Sequence, residues 1–248
     1  MKDNNEELDN LKKAQAEFIS TVSHEMRTPL TSIRGFADTM LTSYDMLSEE
    51  QKKKFLQIIK EQANRLIKLT ENLLAVSKMQ GNFEKLVIKS VNVTEIIENC
   101  IKIIQQQSNK NTIKTVFEKN LPYILADTDK FQQIMLNLLE NAVKYSDKDS
   151  VITVKTKSYD KFIAIDVSDK GVKIEDKDKD RIFEKFTRLS SVLTQKTEGS
   201  GLGLYITKTL VEKMNGKINV ESSDEVTTFR ITFPIIEYGE DSGIKMRK

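Results

Sequence analysis

The chain has very little of the chemistry on which metalloproteins and disulfide-stabilised proteins depend. Its 248 residues contain one cysteine, Cys100, and one histidine, His24. A single cysteine excludes an internal disulfide and suits a reducing compartment. Together, one cysteine and one histidine also exclude the ordinary zinc sites. No GxxxxGK segment is present, which excludes a P-loop nucleotide site.

Charge and hydrophobicity exclude further classes. The formal net charge is only +2, so the charge balance gives no sign of a nucleic-acid partner. No apolar run approaches the length that spans a bilayer, and residues 1–5 lack the apolar core of a signal peptide. With 31% charged and 38% apolar residues, the composition favours a soluble, helix-rich protein of one large or two small domains.

What the sequence does have is a histidine in an informative position. At about 100° per residue, the apolar residues between Leu11 and Met40 form one continuous stripe, the pattern of a helix that buries one face. His24 falls opposite the centre of that stripe, with Thr28 one turn later, so we expect its side chain to be exposed. Glu25 follows it directly. A carboxylate there can accept a proton from one ring nitrogen and leave the other as the nucleophile.

Pro29 falls inside the same helical pattern. A proline in a helix interior removes one hydrogen bond and costs about 3 kcal/mol or more. The carbonyl that loses its donor is that of Glu25. We therefore expect a weakened, bendable helix beside the histidine; the alternative is that Pro29 begins a second helix after a break.

Residues 6–45 are predicted to form one amphipathic helix. Ser48 and Gln51 match a capping box that opens a second helix, and Gly81 is a natural stop for it. The link at 45–47 is short, so the two helices should form an antiparallel hairpin. Both carry long apolar stripes, which a dimeric four-helix bundle would bury.

The periodicity changes after Gly81, and helices mixed with alternating strands predict an α+β domain. The predicted strands are 86–91, 113–117, 151–157, 162–167, 217–221 and 227–233, and the predicted helices are 93–106, 127–145 and 202–214. Residues 187–200 lack a clear period and are predicted to be a mobile loop.

Three polar patterns in this second domain suit a nucleotide. Asn137, Asn141 and Lys144 share one face of a predicted helix, where amide oxygens suit Mg²⁺ and an ammonium suits phosphates. Residues 199–203 (GSGLG) open a helix whose free N–H groups attract anions. Residues 169–171 (DKG) follow a strand and could set a carboxylate against an adenine amine. Each pattern alone is equally typical of an ordinary surface helix or loop.

Taken together and in this order, the motifs resemble those of the sensor histidine kinases of two-component signalling. The resemblance covers roughly residues 10 to 235. It rests on a phosphoacceptor box at 18–30, an asparagine box at 137–146, a first glycine box at 169–171, a phenylalanine box at 183–186 and a second glycine box at 199–204.

The resemblance implies a helical hairpin followed by an α/β-sandwich (Bergerat, GHKL-type) ATP-binding domain. It implies that His24 accepts the γ-phosphoryl group of ATP, that Glu25 acts as the base, and that Thr28 positions water when the phosphorylated partner is dephosphorylated. The resemblance also implies a set of nucleotide-binding residues. Asn141, helped by Asn137, would hold Mg²⁺, and Lys144 and Arg188 would meet phosphates. Tyr145 would line the nucleotide pocket, Asp169 would read the adenine, and the remaining members of the set are Gly171, Gly199, Gly201, Leu202 and Gly203. Residues 187–200 would form the lid over ATP.

The same resemblance implies a domain organisation and partners. The expected segments are a signalling helix at 1–16, a dimerisation and phosphotransfer domain at 17–80, an ATP-binding domain at 84–236 and a flexible tail at 237–248. The expected partners are a second copy of the chain and the receiver domain of a response regulator, with no nucleic acid. We expect a cytoplasmic location, with a sensor or membrane segment possible upstream.

One departure from the family pattern bears on activity. Lys173 stands where the family usually has a second glycine, and Glu175 where it often has proline. A side chain at position 173 could weaken ATP binding, or its charge could touch a phosphate. This leaves a non-enzymatic dimeric scaffold with impaired ATP binding as the alternative. An ATP hydrolase of the wider GHKL superfamily is disfavoured, because those enzymes place a hydrolytic glutamate where Asn137 stands.

Overall fold

Two long helices form the N-terminal part of the chain. In the computed structural model, which describes residues 2–80, 85–108, 111–187, 200–238 and 244–246, the chain divides into two units, residues 1–77 and 78–248. Helix α1 spans Lys2–Ser43 and α2 spans Glu49–Gln80, with a 3₁₀ turn at Tyr44–Met46 between them. None of the described helices is both long and apolar enough to cross a bilayer.

The predicted antiparallel hairpin is confirmed. The Ser48 N–H donates to Gln51 Oε1 over 2.9 Å and the Gln51 N–H donates to Ser48 Oγ over 3.2 Å, which is a reciprocal capping box at the start of α2. Phe36 of α1 packs on Phe55 of α2 with ring centroids 5.1 Å apart. Helix α2 is described as far as Gln80; the predicted stop, Gly81, lies outside the described residues.

Helix α1 runs through Pro29 without interruption, so the alternative of a break at this residue is wrong. Pro29 is buried. The Thr28 hydroxyl bonds back to the His24 carbonyl at 3.4 Å. Hydroxyl groups that bond back in this way tend to bend helices slightly, and the weakening expected at Pro29 stays a prediction.

The C-terminal unit is a five-stranded sheet with helices against one face. The helices are α3 (Val93–Gln107), α4 (Thr128–Tyr145) and α5 (Gly203–Lys213). The strands of the sheet, in spatial order, are β2 (Thr112–Val116), β4 (Val151–Ser158), β5 (Phe162–Asp169), β7 (Thr227–Pro234) and β6 (Lys217–Ser222). Strand β2 runs parallel to β4, and the remaining neighbours are antiparallel. The predicted helix-plus-sheet architecture is confirmed.

The alternation of side chains along the strands decides which face is covered. In β7, Thr227, Phe229, Ile231 and Phe233 are buried and their neighbours are half-buried, as a strand with one packed face requires. Phe131 of α4 contacts Phe233 with ring centroids 5.7 Å apart, so α4 lies on this packed face.

The N-terminus of α4 is fixed by Asp127. Its carboxylate accepts the N–H groups of Asp129 and Lys130 at 3.1 Å, and its second oxygen accepts the Val87 N–H at 2.8 Å. These contacts bring the segment that follows α2 to the start of α4. They also explain a difference from the sequence prediction, because the Val87 N–H is engaged by a side chain and the strand begins only at Lys89.

Four short strands lie outside the main sheet. Strand β1 (Lys89–Val91) pairs with β3 (Ile124–Ala126), and β8 (Ile236–Tyr238) pairs with β9 (Ile244–Met246), the latter pair lying mainly within the predicted tail. The sequence analysis missed β3, β8 and β9. Three residues are too few for the alternation of burial to be recognised in a sequence.

Candidate functional site

His24 is exposed on the surface of α1, as its helical phase predicts. Ser20 and Thr28, one turn before and one turn after, are exposed as well, whereas Val22 and Met26 are half-buried. The exposed face therefore carries the imidazole between two hydroxyl side chains. An exposed imidazole can reach a donor carried by another domain, which a buried one could not.

Glu25 is directed into the seam between the two helices. Its Oε2 lies 3.3 Å from Nη2 of Arg65 on α2, and the two side chains are only 15% and 20% exposed. Consecutive residues on a helix point about 100° apart, so a carboxylate held in this seam is turned away from the imidazole. Glu25 is therefore engaged with α2 as well as next to His24 in the sequence.

The polar face of α4 carries Asn141 and Lys144, both half-buried. The Lys144 ammonium donates to the Tyr145 hydroxyl at 2.8 Å and lies 4.5 Å from the ring centroid. The lysine charge is thus held at the end of α4 beside an aromatic ring. An amide and an ammonium one turn apart provide one oxygen ligand for a metal ion and one charge for a phosphate.

Asn137, one turn earlier on α4, also holds α4 to α5. Its Nδ2 donates to Thr207 Oγ1 at 2.8 Å, and Thr207 is only 1% exposed. A Cβ added at Gly203 would collide with the Asn137 amide oxygen. The glycine that begins α5 is therefore needed to let the asparagine approach, and Thr207 is a supporting residue that the sequence analysis missed.

Asp169 ends strand β5 and is only 4% exposed. Burial raises the pKa of its carboxyl group to about 7; a hydrogen bond from Ser146 opposes this rise and the nearby Asp147 charge adds to it. A buried carboxylate without a cation suits an uncharged N–H donor such as an exocyclic amine.

Gly171 lies against the end of α4, where no side chain can fit. A Cβ added there would collide with the Tyr145 carbonyl, and residue 171 forms an isolated bridge with Ser146. The Asp147 N–H donates to the Lys170 carbonyl at 2.7 Å. The segment after Asp169 is thus clamped on one side by the residues that follow Lys144.

Two residues in left-handed backbone conformation mark the start of α5. Gly201 has φ = +67° and Phe186 has φ = +61°. The Phe186 N–H donates to the Gly201 carbonyl at 3.0 Å, and a Cβ at Gly201 would lie 2.7 Å from Phe186 Cα. Leu202 occupies the N-cap position of α5, and its apolar side chain cannot cap the first N–H groups. Arg188 and Gly199, predicted to contact the nucleotide, lie outside the described residues.

Lys173 is paired with Asp224. Its Nζ lies 2.9 Å from Asp224 Oδ1, and this contact raises the pKa of the lysine. The side chain is 43% exposed, whereas Asp169 is buried. The side chain that could have weakened nucleotide binding is therefore bound to the turn between β6 and β7.

The described residues include no cluster of three or more His, Cys, Asp or Glu able to hold a metal ion. A magnesium ion that arrives with a nucleotide requires only one or two protein ligands, since phosphate oxygens and water supply the rest. Asn141, with its amide on the same face as Lys144, fits this requirement.

Comparison with known proteins agrees with the geometry. Residues 14–82 match the model of the His Kinase A (phospho-acceptor) domain, and residues 126–237 match that of the histidine kinase-, DNA gyrase B- and HSP90-like ATPase. The chain is 32% identical to the signal transduction histidine-protein kinase ArlS of Staphylococcus haemolyticus over 220 residues, which are 88% of this chain and 48% of that protein.

Solved structures show the same architecture. Full-length ShkA in complex with AMPPNP is 25% identical, with a TM-score of 0.64 over 88% of this chain and 46% of its own. Histidine kinase ThkA in complex with the response regulator protein TrrA is 22% identical, with a TM-score of 0.68 over 88% of this chain and 61% of its own. The chain spans between 27% and 48% of the length of the first curated relatives it matches.

Proposed function

The chain belongs to the sensor histidine kinases, whose catalytic core it contains, and from this membership we propose that it autophosphorylates His24 from ATP and passes the phosphoryl group to a response regulator. The observation that carries the proposal is the exposure of the only histidine of the chain, on a hairpin that one chain joins to an ATPase-type domain. A scaffold would have no need to expose a nucleophile there.

In the first step, one ring nitrogen of neutral His24 attacks the γ-phosphorus of ATP. The bond between that phosphorus and the bridging oxygen breaks, ADP leaves, and the proton of the other ring nitrogen passes to the Glu25 carboxylate. In the structure the Glu25 carboxylate contacts Arg65 at 3.3 Å, and in this proposal that contact opens when Glu25 takes the proton. Such transfer depends mainly on positioning and charge stabilisation, which are the functions of the second domain.

The ATP-binding domain supplies a complementary pocket. Asp169 accepts the adenine amine, Tyr145 lines the pocket beside it, and the uncapped N–H groups at the start of α5 face phosphate oxygens together with Lys144. The amide oxygen of Asn141 would hold Mg²⁺, and the ion would neutralise phosphate charge. Asn137 adds its oxygen at the start of α5 while Thr207 holds its Nδ2.

The phosphoryl group then passes from His24 to an aspartate of a receiver domain. The P–N bond breaks, an acyl phosphate forms, and the imidazole regains a proton. A phosphatase activity would hydrolyse that acyl phosphate: a water molecule oriented by Thr28, one turn from His24, attacks the phosphorus, the P–O bond to the aspartate breaks, and inorganic phosphate leaves. The complex of ThkA with TrrA supports a partner of this class.

We propose that a second copy of the chain covers the exposed apolar surface of the hairpin. Several large apolar side chains of α1 and α2 are more than half exposed in a single chain, namely Ile19, Leu30, Leu56, Ile67 and Leu74. Pairing two hairpins into a four-helix bundle would bury such residues. We propose that this dimer acts in the cytoplasm.

The scaffold alternative is not favoured. It rests on Lys173 disabling the nucleotide site, and the side chain of Lys173 is bound to Asp224.

The decisive experiment is incubation with radiolabelled ATP and Mg²⁺. The expected product is a phosphoprotein that is labile in acid and stable in alkali, and that is absent from the His24→Ala variant. Lys52→Ala, which removes the ion pair with Glu49 in the same hairpin, is the matched control and should label normally. Undiminished labelling of His24→Ala would disprove the assignment.

A further inference from the structure

The three residues after Gly171 form hydrogen bonds with strands β6 and β7 and with the turn that joins them. The Val172 carbonyl accepts from Thr227 Oγ1 at 3.2 Å, and the Ile174 N–H donates to Ser222 Oγ at 2.9 Å. Between them, the Lys173 ammonium reaches Asp224 Oδ1 at 2.9 Å. Backbone and side chain of this short segment are thus held by the ends of β6 and β7 and by the turn between them.

The turn itself has a defined shape. The Ser223 N–H donates to the Val226 carbonyl at 2.9 Å, and Ser223 Oγ accepts the Val226 N–H at 3.2 Å. Hydroxyl groups that bond locally in this way fix a turn. Asp224 is therefore presented by an ordered turn, although its side chain is 87% exposed.

The other side of the segment meets the nucleotide-binding helix. Gly171 lies directly against the Tyr145 carbonyl, and Lys170 accepts a hydrogen bond from Asp147. Residues 170–174 consequently lie between the end of α4 and the β6–β7 turn, immediately after the buried Asp169. A shift of the turn would move this segment relative to the carboxyl group that faces adenine.

We propose that Lys173 and Asp224 are positioning residues of the nucleotide site, forming a charge tether that makes the β6–β7 turn hold residues 171–174 beside Asp169. This inference rests on the proposed function, because it assigns a supporting pair to the same ATP site. It also explains the lysine at a position where the family usually has glycine. A glycine would leave the backbone of this segment more flexible, whereas the ionic contact of Lys173 fixes it.

The expected effect is modest. Exposed ion pairs contribute little and are screened by salt, so the tether should change nucleotide affinity by about two- to five-fold at low ionic strength. It should leave the rate of phosphoryl transfer at saturating ATP unchanged, since neither residue touches the phosphates or His24. A residue needed only for folding would show no such separation of affinity from rate.

The test is nucleotide affinity of the whole chain, measured by calorimetry with ADP at about 0.05 and about 0.5 M NaCl. At low salt, Lys173→Ala, Asp224→Ala and the double variant should each weaken binding by the same two- to five-fold, and the charge-reversed pair Lys173→Asp/Asp224→Lys should restore it. At high salt all four should approach the wild type. Arg181→Ala, which breaks the Arg181–Asp178 ion pair, is the matched control and should bind normally.

Two outcomes would overturn the tether while leaving the proposed function intact. One is unchanged affinity in Lys173→Ala and Asp224→Ala; the other is a charge-reversed pair that binds no better than the double alanine variant. If the wild-type chain bound no ADP, the ATP site itself would be refuted and the tether with it. Autophosphorylation at saturating ATP supplies the second readout, and a slower rate in Asp224→Ala would contradict a role confined to nucleotide positioning.

Discussion

The two regions of the chain position their candidate functional residues in different ways. On the hairpin, His24 and Thr28 are exposed, and only the phase of one helix determines where they point. In the ATP-binding domain, Asp169 is buried, and Asn137 is held by Thr207, seventy residues further along the chain. A substitution on the hairpin surface should therefore act locally. The same substitution in the second domain should change both stability and ligand binding.

Glycine-to-alanine substitutions give the sharpest contrast. Gly171→Ala forces a Cβ into the Tyr145 carbonyl, so we expect it to cost at least about 3 kcal/mol and to abolish nucleotide binding. Gly35→Ala lies on α1 with nothing within 4 Å of the added carbon, and should stabilise the hairpin by about 0.5–1 kcal/mol. Urea unfolding of the two variants measures both effects. Equal losses of stability would show that the regions do not differ in this way.

The buried carboxyl group gives the next largest effect. Because burial raises the pKa of Asp169 to about 7 from 3.8, the folded chain retains a proton that the unfolded chain has already lost. Stability therefore falls as pH rises from about 4 to about 7, with no further loss from this group above that range. Asp169→Asn removes this titration, so it should stabilise the nucleotide-free protein by about 2 kcal/mol at pH 8 and by much less at pH 4.

Thermal unfolding at the two pH values tests this, with ADP binding measured in parallel. Asp169→Asn should bind ADP far more weakly although it is more stable, because an asparagine amide presents only one acceptor oxygen and its N–H₂ group opposes the adenine amine. Glu25→Gln is the comparison on the hairpin and should leave ADP affinity unchanged. A gain in stability that is the same at pH 4 and pH 8 would contradict the raised pKa.

The same difference between the hairpin and the ATP-binding domain explains which features could be predicted from the sequence. The hairpin, its capping box and the exposure of His24 follow from helical periodicity, a local property. Asp169 and Gly171 were found through a motif. The structural reasons for these two residue types are the burial of Asp169 at the end of β5 and the lack of space beside the Tyr145 carbonyl at Gly171. Both depend on contacts between segments that are distant in sequence. Thr207 and Asp224 were missed for the same reason, since nothing in their own neighbourhood distinguishes them from other threonines and aspartates.

Glu25 shows what helical periodicity does not predict on the hairpin. Its sequence position predicts a carboxylate close to His24, and in the structure the Oε2 of that carboxylate also lies 3.3 Å from Arg65 Nη2 on α2. Arg65, forty residues away, was not identified from the sequence. A helical pattern therefore predicts which face a residue occupies, and does not predict which neighbour that residue binds.

Helix caps provide the smallest and most closely matched comparison. Asp127 caps α4 and also holds the Val87 N–H; burial opposes its ionisation, but the N–H groups of Val87, Lys130 and Asp129 outweigh that effect and lower its pKa. Asp127→Ala should cost about 1–2 kcal/mol, and this contribution of the carboxylate is lost as pH falls through its lowered pKa. Ser48→Ala removes an exposed cap of α2 and should cost about 0.5–1 kcal/mol.

Urea unfolding of the two cap variants at neutral pH gives the two costs on one scale. Asp127→Ala should also weaken ADP binding, because the loosened start of α4 is continuous with the turns that carry Asn137 and Asn141. Ser48→Ala should leave ADP binding unchanged. Equal losses of unfolding free energy in Ser48→Ala and Asp127→Ala would contradict this expectation. They would show that contacts with distant segments do not make the cap of α4 more important than the cap of α2.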